Sequence, residues 1–229
     1  MGEEPLEAAV TYLRGNRRPS FESESARHQG VAARLEPVFR AAADGDPTWV
    51  DSLRRELRDQ AGDVSGVVAD QFVEYAATYS YAVGRAAAGF EGPEDADLFW
   101  DVALTPVAGV TGLRERFADL GRPGAMASIV SMVLFSRRPR TYPVYQANLS
   151  SRTLRVLLGE PLDTHSIPSR LLSYYSGVER VGRWLKERGL AVRSNLDAYC
   201  ILRELDKKRI VRPHGAQHIE PVGAGRTGR

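Results

Sequence analysis

The stretch GRPGAMASIVSMVLFSRRPRTYPVYQANLSSRTLRVL, residues 121–157, decides how this chain is read. It opens on a Gly-x-x-Gly turn, runs through an apolar segment from Ala125 to Phe135, and meets three arginines around Pro139. A Tyr-Pro-Val-Tyr-Gln turn follows, then a segment whose first residues are polar and whose later ones are apolar. These patterns predict two helices joined by an arginine-rich turn. The apolar segment is far shorter than the roughly 20 residues a membrane span needs.

Outward from this stretch, helical periodicity dominates and β-branched alternation is scarce. PLEAAVTYLR, ARLEPVFRAAADG, PTWVDSLRRELRDQAG, VSGVVADQFVEYAATYSYAVGRAAAG and PEDADLFWDVAL each place apolar residues three and four apart, with glycine, proline or aspartate at several ends. Further helices are predicted over Val110–Asp119, Gly124–Phe135, Asn148–Leu158, Ser169–Arg188 and Asn195–Asp206. The expected fold is all-α, a compact bundle of about ten short helices without an internal repeat. Residues 1–210 are expected to form one domain and residues 211–229 a flexible basic tail, because the last segment is rich in Gly, Arg and Pro and lacks periodicity. Ser20–Glu24 reads as a mobile loop.

At 229 residues, with 43% hydrophobic and 26% charged residues, the chain can bury a substantial core. The formal net charge of +2 conceals an uneven distribution, with Glu3, Glu4 and Glu7 early and Lys207, Lys208, Arg209, Arg212, Arg226 and Arg229 late. The first residues are acidic and lack the basic start and apolar run of a secretory signal, so a cytoplasmic location is expected. The lone Cys200 has no internal disulfide partner, and no Cys/His cluster has zinc spacing. It lies on the apolar side of a predicted helix and reads as core. No cofactor and no metal are expected.

From Leu120 to Gly159 there is no Asp or Glu, yet the window holds Arg122, Arg137, Arg138, Arg140, Arg152 and Arg155. Guanidinium groups suit forked contacts with phosphate oxygens, so the window reads as a polyanion-binding face. The alternative is a solvated face whose arginines pair with acids from other helices. Gly121 and Gly124 add a turn in which backbone N–H groups at a helix start can face a phosphate.

GRPGAMASIVSMVLF and YPVYQANLSSRTLRVL together resemble the segment of helix-hairpin-helix DNA glycosylases, adenine and 8-oxoguanine excising enzymes among them, in which a glycine hairpin precedes a helix. In that family an element of the form P-V/I-x-D-x-N/H-V puts the catalytic aspartate at the start of the next helix. Pro143, Val144, Asn148 and Leu149 match it, and Ala127 and Ser128 match the small pair after the hairpin, over about 40 residues. A second likeness is to the helical region preceding the ATPase of McrBC-type, modification-dependent restriction systems. RPRTYPVYQ, followed some fifty residues later by RGLAVRSNLDAY, is similar to two segments of that region and extends the likeness to about 80 residues. The resemblance implies a helix-hairpin-helix glycosylase-like fold and action on double-stranded DNA that carries modified bases, with defence-system proteins as possible partners. Two departures stand out. Gln146 occupies the aspartate's place, and no lysine occurs before Lys186, so a hairpin lysine Schiff base is excluded and a glycosylase would be monofunctional.

Hydrolysing an N-glycosidic bond requires an extruded base and a carboxylate near the sugar. At 4 Å and an effective dielectric near 20, one carboxylate offers on the order of 4 kcal/mol to a full positive charge. Three acids are candidates. Asp197, in SNLDAY, is a possible catalytic acid or a first-turn helix cap. Asp163 precedes His165 by two residues and is a possible water-activating partner or the acceptor of an Asx turn. Asp101 is a possible pocket acid or an ordinary helix acid. Tyr142, Tyr145, Tyr174 and Tyr175 are candidates for stacking on a base, with half-buried packing as the alternative.

In the assembled expectation, Arg137, Arg138, Arg140 and Arg152, with Gly121, Arg122 and Gly124, hold DNA, while Tyr142, Tyr145, Gln146 and Asn148 face the sugar or base. The leading expectation is a monofunctional glycosylase releasing a hydroxymethylated or glucosylated cytosine from phage DNA. The alternatives are a catalytically silent module that reads modified DNA and recruits a nuclease or ATPase, and a helical scaffold.

Overall fold

The computed structural model describes residues 3–15, 20–58, 69–97 and 123–211. Among these residues the structure is all-helical, as the periodicity predicts, and no strand occurs. None of the described helices is long and apolar enough to cross a membrane.

Helix α1 (Glu3–Gly15) buries Leu6, Ala9, Val10 and Leu13, one stripe at helical spacing. Helix α2 (Ser20–Ala43) is the central strut. It packs against α3 (Trp49–Arg58), α5 (Ser80–Gly89), α6 (Pro123–Arg137) and α9 (Asn195–Lys207). Ser20–Glu24, read from sequence as a mobile loop, is instead the first part of α2. Tertiary contacts order it: Glu22 pairs with Arg193 at 2.7 Å, Ser25 just beyond is buried, and Glu24 lies 3.9 Å from Arg203 of α9.

The pattern from Val64 to Gly89 was read as one helix. Its described part is two, α4 (Ala69–Thr78) and α5, broken at Tyr79, which leaves helical geometry and buries its ring. Gly84 lets α5 approach α2 closely, since a Cβ there would stand 2.6 Å from the Ala42 carbonyl oxygen. PEDADLFWDVAL opens as a 3₁₀ turn over Pro93–Asp95, with the Asp95 carboxylate accepting from the Glu91 and Gly92 amides. The rest of that segment and the predicted helix at Val110–Asp119 lie outside the described residues.

Helix α6 is the innermost element: every residue from Met126 to Ser136 is buried. A helix apolar on all sides needs neighbours on all sides, and α2, α4, α5 and α8 (Ile167–Glu187) supply them. The predicted helix Asn148–Leu158 contains a π-helical turn, Leu149–Leu154, running into α7 (Arg155–Leu158), which stops at Gly159 with φ 71°. Ser166 and Ser194 cap α8 and α9, each accepting from the backbone N–H three residues on. The buried side chains of the described helices form one shared core.

Candidate functional site

The Tyr-Pro-Val-Tyr-Gln turn is held inward by α6. The Tyr145 amide donates to Ser131 Oγ at 2.8 Å, and Ser128 Oγ, shared between the Gly124 carbonyl at 2.9 Å and the Tyr145 carbonyl at 3.3 Å, sits on its other side, so two serines about one helical turn apart bracket a single residue. Tyr174 Oη donates to the Val144 carbonyl at 3.1 Å. The four candidate tyrosines pack on one another. Tyr145 meets Tyr174 edge-on at 5.1 Å, Tyr142 meets Tyr175 at 5.1 Å, and Tyr145 is 1% exposed. Burial pushes the Tyr174 and Tyr175 hydroxyls well above the ordinary tyrosine range.

The RPRTYPVYQ turn and the RGLAVRSNLDAY segment come together in space. Asn195 Nδ2 donates to the Thr141 carbonyl at 3.1 Å, the Leu196 amide to the Arg140 carbonyl at 3.4 Å, and the Gln146 side chain hydrogen-bonds Tyr199. Gln146 therefore ties the turn to α9.

The two described candidate acids, Asp163 and Asp197, serve the backbone. Asp197 Oδ2 accepts from the Arg193 amide at 2.9 Å and its own amide donates to Ser194 Oγ at 3.3 Å, the cap reading of that residue. Asp163 Oδ1 accepts from the His165 amide at 3.0 Å, the Asx-turn reading. Asp101, Gly121 and Arg122 lie outside the described residues.

The arginines of the window divide into two kinds. Arg152 is neutralised by Asp206 at 3.2 Å. Arg137 Nη1 donates to the Phe90 carbonyl at 2.6 Å, Arg138 Nη1 to the Glu91 carbonyl at 3.4 Å, and Arg140 Nε to Gln29 Oε1 at 3.3 Å. These three fasten the turn to neighbouring elements, yet their partners are neutral, and no described carboxylate lies within ion-pair distance of them. Elsewhere Arg34 pairs with Glu56, Arg54 with Asp51, Arg180 with Glu160, Arg183 with Glu179 and Arg188 with Glu7, while Arg14 and Arg55 bond the Arg188 carbonyl and Ser52 Oγ; what sets the turn apart is three such arginines within four residues. Gly124, half-buried, stands with its Cα facing Ala147, where a Cβ would make an ordinary contact at 3.6 Å.

A cavity of about 340 Å³ opens beside the turn, between the π turn, the Pro161–Thr164 loop and the start of α8. Tyr145, Asn148, Ser150, Ser151, Arg155, Thr164 and Arg170 contribute its polar lining, and no described carboxylate contributes. Tyr145 and Asn148 were expected at the site from sequence. Arg155 was seen only as part of the basic window, and Arg170, Ser150 and Thr164 were missed. Arg170 carried a signal: it stands in the first turn of α8, where an acid is favoured by the helix dipole and none is present. Its Nη1 donates to Tyr145 Oη at 3.3 Å and its Nη2 to the Thr164 carbonyl at 3.1 Å, while its buried Nε has no hydrogen-bond partner.

A second cluster, Glu24, His28 and Cys200, brings one ligand-type atom from each within 4.8 Å of the others. Its donor chemistry is already committed. Arg203 Nη1 lies 3.0 Å from His28 Nε2 and can only donate, so Nε2 is the acceptor and Nδ1, 2.8 Å from the Glu24 carbonyl, carries the proton. Burial pushes the Cys200 thiol far up, which keeps it neutral and agrees with its reading as core. The cluster is a packed polar contact between α2 and α9.

No protein-family model matches the chain, and neither a curated protein nor a solved structure matches it.

Proposed function

We propose that this chain is a nucleic-acid-binding module that reads duplex DNA, including DNA with modified bases, and does no base excision itself. The observation that carries this reading is the set of arginines without carboxylate partners, Arg137, Arg138 and Arg140 on the turn and Arg155 and Arg170 in the cavity. Cations left without counter-charge in a folded protein are a standing attraction for phosphate. The cavity, at about 340 Å³, falls at the small end of the ligand-site range of about 300–1,000 Å³. Excision would need a carboxylate beside the sugar, and the described lining has none, with Asp163 and Asp197 engaged as turn and cap. The sequence likenesses agree with action on DNA and do not separate reading from excision.

The test uses purified protein and three duplexes of one sequence carrying cytosine, 5-hydroxymethylcytosine or its glucosylated form. Fluorescence anisotropy at several salt concentrations is expected to show salt-sensitive binding. The Arg137→Ala, Arg138→Ala, Arg140→Ala triple variant should reduce the log–log salt slope by up to about 3, at about 0.9 per lost phosphate contact. Alkali treatment and a denaturing gel are expected to show no abasic sites. Strand breakage after alkali on any duplex would restore the glycosylase, and salt-insensitive or absent binding to all three would remove DNA from the account.

A further inference from the structure

The polar groups of the cavity are donors with almost nothing to donate to. The side chains of Arg155, Asn148 and Ser150 make no hydrogen bond to any described residue, and Arg170 commits only two of the five N–H donors a guanidinium has. Two positive charges thus face one space with no described acid in its lining. Arg170 is also held in place. The Tyr145 hydroxyl and the Thr164 carbonyl fix its plane, and Tyr145 is in turn bracketed by Ser128 and Ser131 of the buried helix α6. A guanidinium fixed in this way at the repelling end of a helix is costly without an anion and well placed with one.

The donor set identifies the anion. A carboxylate has two oxygens and one charge, which a single guanidinium fork satisfies. Two guanidiniums, an amide and a hydroxyl suit a group with more oxygens and up to two charges, which is a phosphate. Ala147, Pro161 and Leu162 complete the lining with apolar surface that a bare phosphate ion would leave untouched. Resting on the reading of the chain as a nucleic-acid module, we infer that the cavity is a mononucleotide site in which Arg155 and Arg170 take the phosphate and the Ala147, Pro161 and Leu162 wall takes the organic part.

The experiment is isothermal titration of the full chain with deoxycytidine monophosphate, deoxycytidine and inorganic phosphate. The nucleotide is expected to bind at least about tenfold more tightly than the nucleoside, the usual worth of a charge-assisted hydrogen bond. Arg155 is exposed and bonds no described side chain, so Arg155→Gln should keep the wild-type melting temperature while weakening nucleotide binding about tenfold or more. Arg170→Lys keeps the charge but loses the fork and is expected to weaken nucleotide binding as well. Equal affinity for nucleotide and nucleoside, an Arg155→Gln variant that binds like wild type, or no heat from nucleotide or phosphate at millimolar concentration would each overturn the site. A hairpin DNA with a 5′-phosphate, compared with one ending in hydroxyl, separates the sources. Tighter binding of the phosphorylated end assigns the site to a DNA terminus, and equal binding assigns it to free nucleotides and overturns its link to DNA. Because the salt slope of duplex binding depends on Arg137, Arg138 and Arg140, a failure of the cavity and a failure of DNA binding give different results.

Discussion

Replacing Ser131 by alanine tests how the turn is held. Ser131 is wholly buried in α6, and its hydroxyl accepts from the Tyr145 amide at 2.8 Å while donating to the Ser128 carbonyl at 2.8 Å. Its loss leaves a buried N–H with no acceptor, a cost of about 1–3 kcal/mol. Alanine returns about 0.5 kcal/mol through its better helix propensity, so the net loss is about 1.5 kcal/mol. With a urea m-value of about 3 kcal/mol/M, at the upper end of the usual range, the midpoint should fall by about 0.5 M. The same variant should speed hydrogen exchange at the Tyr145 amide well beyond the global change and weaken nucleotide binding, because Tyr145 holds Arg170. A midpoint within about 0.1 M of wild type and unchanged exchange at Tyr145 would show that the serine does not tether the turn, and the account of a pre-set Arg170 would go with it.

Gly84→Ala should force α5 away from the Ala42 carbonyl, costing about 1–3 kcal/mol and lowering the melting temperature by roughly 3–10 °C in a thermal scan; an unchanged value would mean the two helices separate freely. Burial raises the hydroxyls of Tyr174, Tyr175 and Tyr199 above the ordinary value, so the stability they lend is complete below about pH 10 and is lost as pH rises from there toward their folded values. An alkaline titration followed by tyrosinate absorbance should therefore show these phenols ionising together with unfolding, and early independent ionisation would contradict their burial. Asp197→Ala should cost about 1 kcal/mol of stability through the lost cap, whereas Asp197→Asn should cost less, and neither should alter DNA binding. A large binding or activity loss in the asparagine variant at unchanged stability would return Asp197 to the list of functional residues.

The helices were legible because their cause is local. Leu6, Ala9, Val10 and Leu13 repeat at helical spacing, and Ser194 with Asp197 is a cap that sequence alone spells out. The break at Tyr79 and the order of Ser20–Glu24 were not legible, because each depends on a partner remote in sequence: the shared core for Tyr79, and Arg193 and Arg203 for the start of α2. The basic window was visible as composition, but not its division. Whether an arginine is neutralised depends on an acid such as Asp206, fifty-four residues from Arg152, and no spacing rule reaches that far. The placement of the tyrosines and Gln146 was not legible for a related reason. A turn rich in aromatic and amide groups can face a ligand or the core, and what decides is Ser128 and Ser131 on α6, whose pattern shows that it is buried but not which segment it packs against.

The cavity arginine shows where a sequence can speak even so. The first turn of α8 has the ordinary equipment of a helix start: Ser166 as cap, Pro168 beside it and Ser169 returning the capping bond. At the fourth helical position an acid would gain from the dipole, and Arg170 loses by it, on the order of 0.3–1 kcal/mol. The buried Nε without a partner adds a further cost of about 1–3 kcal/mol. Local rules broken twice at one residue, in a helix that otherwise obeys them, are hard to explain as packing, because a methionine would fill a similar volume without either cost. An anion in the cavity would offset the dipole and meet the uncommitted Nη hydrogens, though not the buried Nε. On this argument Arg170→Met should abolish nucleotide binding while lowering the melting temperature by no more than a few degrees, since the lost bonds to Tyr145 and Thr164 are partly offset by relief of the dipole and of the orphaned donor. A variant markedly less stable than wild type would mean that Arg170 is retained for its own contacts.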